Sequence, residues 1–248
     1  MIDINVLDPL VRIAWLVGAV GFVIGLVRMN SPATARNGNL MSAGGMAVAI
    51  AATALYLLLR PSSATGNNLL IGWLIIIVGI AIGGGLGLYT ARTVKMTAMP
   101  QLVSLFNAVG GGAAALIAID GYLRISSAPG LQENVAAVLD IVIGSITFTG
   151  SLIASGKLMG RIPGKPIMIP GGQLVTGGLA LVVVVGAIFL WLGNYSLAAM
   201  ALILAASLVF GVTMTLPIGG ADMPVVISLL NSFTGTAVAM AGFVLENP

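Results

Sequence analysis

Two asparagines lie at matching positions in two copies of one apolar motif. The first copy, MPQLVSLFN, covers 99–107, and the second, MPVVISLLN, covers 223–231. Each copy has a serine four residues after its proline and an asparagine three residues further on. The two pairs are Ser104 with Asn107 and Ser228 with Asn231. An amide in an apolar helix either bonds across a helix interface or lines a hydrated polar path. Both interpretations stay open at the level of the motif.

More polar side chains occur in the apolar stretch GSITFTGSLIASG. Thr147 and Ser151 fall on one helical face. Such hydroxyls often bond back to a carbonyl of their own helix, and the alternative is a ladder that holds a file of water. Asp140 lies four residues before this stretch in the same apolar run, and an ionisable side chain inside a membrane helix indicates a functional site by default.

Two other aspartates have simpler interpretations. Asp120 lies near the end of its apolar run, where Arg124 can pair with it at the membrane interface. Asp222 directly precedes Met-Pro in PIGGADMP, which suits the N-terminus of a helix. Asp222 could equally face a partner domain.

The composition identifies an integral membrane protein. Of the 248 residues, 58% are hydrophobic and 7% are charged, whereas soluble domains have about 25% charged residues. The net charge of +3 is spread over loops, so no basic face for nucleic acid is expected. The chain has no cysteine and no histidine, which excludes disulfides and thiolate or imidazole metal sites. We expect no metal and no cofactor bound by this chain.

Eight runs are long enough to cross a bilayer as helices. They predict an all-α, polytopic membrane helix bundle, because continuous apolar runs lack the alternation of a membrane β-barrel. The predicted spans are 9–29, 41–59, 68–90, 99–122, 134–155, 173–193, 195–215 and 223–245. No connection is long enough for a soluble domain, so 1–248 is predicted to be one transmembrane domain.

The basic residues predict the orientation of these spans. Loops after spans 1, 3 and 5 hold Arg28, Arg36, Arg92, Lys95, Lys157, Arg161 and Lys165. The opposite loops hold only Arg60 and Arg124. This asymmetry places the N-terminus outside. The acidic N-terminus lacks the basic region of a secretory signal, so the first run is expected to be a permanent span.

The repeat extends beyond the two motifs. Residues 99–119 and 223–243 share eight identities in 21 positions, and both spans are predicted to run outward from the cytoplasm. A four-helix unit used twice in parallel is therefore plausible. The glycine runs at 83–87 and 110–115 lie inside apolar spans, so they do not indicate a dinucleotide site.

Three segments carry a resemblance to a known family: GGADMPVVISLLNSFTGTAVAMAGF (219–243), ITFTGSLIASGKLMG (146–160) and MTAMPQLVSLFN (96–107). They closely resemble the membrane domain of the beta subunit of proton-translocating nicotinamide nucleotide transhydrogenase. The resemblance implies coupling of hydride transfer between NAD(H) and NADP(H) to proton movement across the bacterial inner membrane. Other domains would bind both nucleotides. The family pattern has nine beta spans followed by an NADP(H)-binding domain, so we expect a fragment that carries the channel without the hydride-transfer site.

The resemblance also implies roles for single residues. Asn231 matches a membrane asparagine implicated in proton passage, Asp222 an acidic residue facing the NADP(H) domain, and Ser151 a polar residue of the channel helix. Asn107 departs from the pattern, because many members have a proton-carrying histidine there. The three-subunit type has a histidine in a small membrane subunit. We therefore expect alpha subunits as partners, a histidine supplied in trans, and a dimer of the whole complex.

These expectations combine into one hypothesis: the two amides and the hydroxyls of Ser104, Ser228 and Thr234 hold water around the partner's histidine. Two alternatives remain. One is a secondary transporter with a polar substrate between the repeats, and the other is a structural anchor whose asparagines only join helices.

Overall fold

The protein is helical throughout the residues that its structure, a computed structural model, describes: 4–59, 67–124 and 130–245. Within them no strand occurs, and each of eight α-helices is long and apolar enough to cross a membrane. The helices are α1 (Ile4–Arg28), α2 (Pro32–Leu59), α3 (Asn67–Thr93), α4 (Met99–Arg124), α5 (Leu131–Leu158), α6 (Gly172–Trp191), α7 (Leu197–Thr215) and α8 (Met223–Val244). The predicted all-α membrane bundle is confirmed.

The helix bounds differ most from the predicted spans at α2. The apolar window begins at 41, but the helix begins at Pro32 and includes the polar sequence before the window. Proline suits a first helical position because it has no N–H to leave unpaired. Helices thus extend beyond the hydrocarbon layer, which an apolar window cannot detect. Arg60, used above for the orientation, lies outside the described residues.

The chain divides into two compact units, Met1–Tyr89 and Thr90–Pro248. In the first unit, α1 and α2 form a hairpin in which glycines allow close backbone contact. A Cβ atom on Gly45 would lie 2.5 Å from the carbonyl oxygen of Gly18. About one turn further from the loop that joins the two helices, Trp15 Nε1 donates a hydrogen bond of 3.0 Å to Thr53 Oγ1. None of the α3 residues whose side chains are described is buried.

The second unit is built around α5. This helix packs against α4, α6, α7 and α8, and 56% of its apolar window is buried, a larger share than in any other described helix. Its small and hydroxyl residues allow neighbours to approach on several faces. Large apolar side chains, including Tyr122, Ile141 and Ile203, form a core near the predicted outer end.

Glycines set the spacing between α4 and α5. A Cβ atom on Gly144 would lie 2.6 Å from the carbonyl oxygen of Gly111 and 3.0 Å from the backbone nitrogen of Ala115. The two backbones are therefore in direct contact. This close approach allows short polar side chains on the two helices to reach each other.

Candidate functional site

Asn107 joins three helices in the middle of the second unit. Its side chain is 5% exposed. Asn107 Nδ2 donates to Ser151 Oγ of α5 at 2.9 Å, and Asn107 Oδ1 accepts from Thr234 Oγ1 of α8 at 2.7 Å. Ser104, one turn earlier on α4, donates through Oγ to the backbone oxygen of Ser151 at 2.8 Å. Four predicted site residues thus form one group, which we name the Asn107 cluster: Ser104, Asn107, Ser151 and Thr234.

Two more predicted residues continue along α5 from the cluster. Thr147 lies one turn from Ser151 and packs against Gly111, and Asp140 lies two turns further toward the predicted outer end. Both side chains are fully buried. Within the described part of the chain, Thr147 Oγ1 and both carboxylate oxygens of Asp140 have no hydrogen-bond partner. These free polar atoms are where water or a proton could bind.

Two residues extend the cluster toward the predicted cytoplasmic end, where α4 and α8 begin and α5 ends. Ser155 Oγ donates to the carbonyl oxygen of Gln101 at 3.1 Å, and Gln101 Nε2 donates to that of Leu158 at 2.8 Å. Gln101 was not among the residues predicted for the site. The sequence did hold one signal for it: Gln101 is polar, whereas the equivalent position in the second copy of the motif is the apolar Val225.

Asn231 and Ser228 are not brought together with Asn107. Both are exposed on a face of α8 that the described residues of the second unit leave largely uncovered. They line an open cleft of about 400 Å³ beside Pro100 and Val103 of α4. Thr234 reaches Asn107 instead, because it lies about 60° around α8 from Asn231, at the edge of that face. The two copies of the motif keep their sequence but have different surroundings.

The uncovered face of α8 is unusually polar for a membrane helix. Ser232 Oγ donates to the Ser228 carbonyl at 3.2 Å, and Thr236 Oγ1 donates to the Ser232 carbonyl at 3.2 Å. Their hydroxyls are thus satisfied within α8. The Asn231 amide has no such bond, and an amide facing hydrocarbon would lack any partner. This face therefore fits a protein or water neighbour better than lipid.

Asp222 ends a short 3₁₀ turn, Gly220–Asp222, directly before α8. It occupies the N-cap position, but its side chain makes no capping hydrogen bond. The predicted helix N-terminus at Asp222 is therefore confirmed, without a side-chain cap. Its carboxylate is exposed at the predicted cytoplasmic end, where a partner could contact it.

Lys157 ties the loop before α8 to α5. Its side chain is buried, and Nζ donates to the carbonyl oxygens of Leu216 and Ile218 at 2.5 and 2.6 Å. The ammonium thus meets the C-terminal end of α7, where carbonyls lack helical partners and the dipole favours a cation. From the sequence, this lysine was predicted only to be one of the basic loop residues that indicate orientation. Its role depends on a tertiary contact with residues about 60 positions away.

We expect Lys157→Met to destabilise this junction while keeping most of the buried stem. Hydrogen bonds to charged groups contribute about 1.5–3 kcal/mol each, and the variant leaves two carbonyls without a donor. The measurements are thermal unfolding of the purified complex and limited proteolysis of the 216–222 segment. Lys165→Met, at an exposed position of the neighbouring loop, is the control. Equal melting temperatures and cleavage rates in the two variants would contradict this role for Lys157.

The chemistry of the Asn107 cluster is that of a neutral polar path. Amides and hydroxyls donate and accept hydrogen bonds and can order water, but they do not take up a proton near neutral pH. Among the described residues no group of three or more potential metal ligands occurs. The cluster can therefore bind water, but it does not itself supply a group that titrates near neutral pH.

Membrane-length helices around a buried polar column define a multi-pass membrane protein. The family model described as NAD(P) transhydrogenase beta subunit matches residues 11–248. Two curated relatives from Rhodospirillum rubrum, one of them assigned to a named strain, are called NAD(P) transhydrogenase subunit beta. Each is 41% identical over 242 residues, which cover 95% of this chain and 50% of the relative. The chain belongs to the NAD(P) transhydrogenase beta subunit family.

The chain spans about half the length of the curated relatives it matches. The expected resemblance is confirmed on this basis. The family is that of one subunit of an NAD(P) transhydrogenase. The enzyme class and the nucleotides in that name agree with the expectation.

Proposed function

We propose that this chain forms the membrane part of a proton-translocating transhydrogenase. In this function, hydride transfer between NAD(H) and NADP(H), bound by other domains of the complex, is coupled to proton movement through the second unit. The observation that carries the proposal is the Asn107 cluster, a buried polar group that joins α4, α5 and α8. Membership of the transhydrogenase beta subunit family supplies the reaction.

The proton carrier in this proposal is a histidine from a partner. Asn107 does not titrate, and the chain has no histidine. The cleft of Ser228 and Asn231 is the place where a partner helix can bring imidazole close to α8, and Thr234 links that helix to Asn107. Imidazole changes its charge near neutral pH, as a reversible proton carrier must. The partner is a small membrane alpha subunit of the three-subunit enzyme type.

The remaining assignments follow from the same proposal. The complex lies in the bacterial inner membrane with the N-terminus of this chain outside, so that α4 and α8 begin on the cytoplasmic side. Asp222 then faces the NADP(H)-binding domain, and alpha subunits complete a complex that forms a dimer. The open cleft offers a polar solute only two polar side chains, those of Ser228 and Asn231, for hydrogen bonding. The alternative of a secondary transporter for a polar substrate therefore gains no support from this site.

We expect Asn231→Leu to reduce coupled proton transport by about tenfold or more, since it removes the unpaired amide from the partner-facing cleft. The measurement is proton movement into vesicles that contain the complete complex, driven by hydride transfer from NADPH to NAD. The matched control is Val225→Leu, an exposed apolar position on the same helix. Transport at the wild-type rate in Asn231→Leu would remove this residue from the path.

A further inference from the structure

We propose that Asp140 is the outer proton-exchange site of the path and that a cleft above it is the outer proton entrance. This inference rests on the proposed function and deepens it, because it assigns the step between the outer solution and the Asn107 cluster. It starts from an open cleft at the predicted outer end of the second unit.

The cleft lies where the ends of α4 and α8 meet the start of α5. It has a volume of about 760 Å³, and its lining includes Asp120, Arg124, Glu133 and Ala137. The Arg124 guanidinium donates to the Asp120 carboxylate at 2.7 Å, with both side chains more than half exposed. Water therefore reaches a rim that carries carboxylates. Such a rim exchanges protons with the outer solution and with any acid directly below it.

Asp140 lies directly below this cleft on α5. Glu133, Ala137 and Asp140 are spaced four and three residues apart, so they follow one another on the same helical face. Ala137 lines the cleft and Asp140, one turn deeper, is fully buried. Neither of its carboxylate oxygens has a hydrogen-bond partner among the described residues. An unpaired buried carboxyl is stable as the neutral acid and needs water to ionise, so its proton occupancy follows access to the cleft.

No other carboxylic acid and no basic side chain lies along this part of the path among the described residues. Across the sequence ranges of α6, α7 and α8 there is no charged residue. On α4 the charges are Asp120 and Arg124 at the rim. On α5 they are Glu133 at the rim and Lys157 at the opposite end, where its ammonium binds carbonyls. Asp140 is thus the carboxylic acid between the outer rim and the Asn107 cluster in the described part of this unit, and the Tyr122 phenol packed near it is a far weaker acid.

Thr147 supplies the next polar atom inward. It lies seven residues from Asp140, a rise of about 10 Å along the helix, and four residues from Ser151. Thr147 Oγ1 has no partner among the described residues, so it is free to hold a water between Asp140 and the cluster. Hydronium in the cleft breaks one O–H bond to give its proton to the Asp140 carboxylate, which forms the O–H bond of the acid and leaves neutral water. That O–H bond breaks when the proton passes to water at Thr147, which restores the carboxylate.

The test uses the complete complex in vesicles and proton transport driven by hydride transfer from NADPH to NAD. Asp140→Asn keeps the size of the side chain and removes its exchangeable acid, so we expect transport to fall about 100-fold. Asp140→Glu keeps the acid and is expected to recover a substantial part of it. Ser207→Ala is the matched control, because Ser207 on α7 is also fully buried with an unpartnered oxygen but lies outside the path.

A second measurement does not depend on activity. Difference infrared spectroscopy of the complex should show the carbonyl stretch of a protonated carboxylic acid that disappears in Asp140→Asn and persists in Ser207→Ala. Wild-type transport in Asp140→Asn, or an unchanged carboxylic acid band, would overturn this inference. If Asn107→Leu blocks transport while Asp140→Asn does not, only the outer site is refuted. If neither variant affects transport, the proposed function fails as well.

Discussion

Replacing Gly144 with valine is expected to prevent the second unit from assembling normally. The added Cβ atom would lie 2.6 Å from the carbonyl oxygen of Gly111, closer than non-bonded atoms approach. The obstructing atom belongs to the backbone, so no side-chain rotation relieves the contact. α4 and α5 would have to separate along their whole interface. Overpacking usually costs about 1–3 kcal/mol, and a backbone contact of this kind belongs at or above the upper end.

Gly178→Val on α6 is the control, because a Cβ atom there meets nothing within 4 Å in the described structure. Both variants replace a helical glycine with the same β-branched residue, so the comparison isolates the helix contact. The measurements are the amount of complex in the membrane and the melting temperature after purification. We expect a strong decrease in both for Gly144→Val and little change for Gly178→Val. Similar values for the two variants would contradict the close α4–α5 contact.

Asn107→Leu is expected to abolish coupled proton transport, by about 100-fold or more, without preventing folding. Leucine has the same number and branching of side-chain heavy atoms as asparagine, so it is the apolar residue that disturbs the packing least. Ser151 and Thr234 lose their partner on α4, but hydroxyls can bond within their own helices, as Thr234 Oγ1 already does to the Leu230 carbonyl at 3.1 Å. The cost in stability should therefore be about 1 kcal/mol. The main effect of the variant is to break the hydrogen bonds that connect α4 with α5 and α8.

Asn107→His provides the sharper comparison. The resemblance places a histidine at this position in many members, so the variant should transport protons even when the partner's histidine is removed. The assay is proton movement into vesicles that contain the complete complex, with and without the partner's histidine. Transport in Asn107→Leu at the wild-type rate would remove the cluster from the path. Failure of Asn107→His to replace the partner's histidine would refute the proposed position of the carrier.

Much of the fold could be predicted from the sequence because a bilayer imposes a length on each apolar run. The surroundings of the two repeated asparagines could not. Asn107 and Asn231 have nearly the same local sequence, yet one is buried and the other is uncovered. Both copies pack against α5, but Asn107 lies in that contact and Asn231 lies outside it, and a local motif holds no information about its neighbours. Lys157 was missed for the same reason, since its two acceptors come from a distant loop.

The contacts of α5 also determine which wall of the path can move. A Cβ atom on Gly211 of α7 would lie 2.5 Å from the Ile146 carbonyl, so α5 is in backbone contact with α7 as well as with α4. By contrast, α8 meets the path through side chains, including the bond from Thr234 to Asn107. A shift of α8 breaks that bond without disturbing the glycine contacts. Close backbone contacts therefore join α4, α5 and α7, and α8, which begins next to Asp222, is the helix that can shift without breaking those at Gly144 and Gly211.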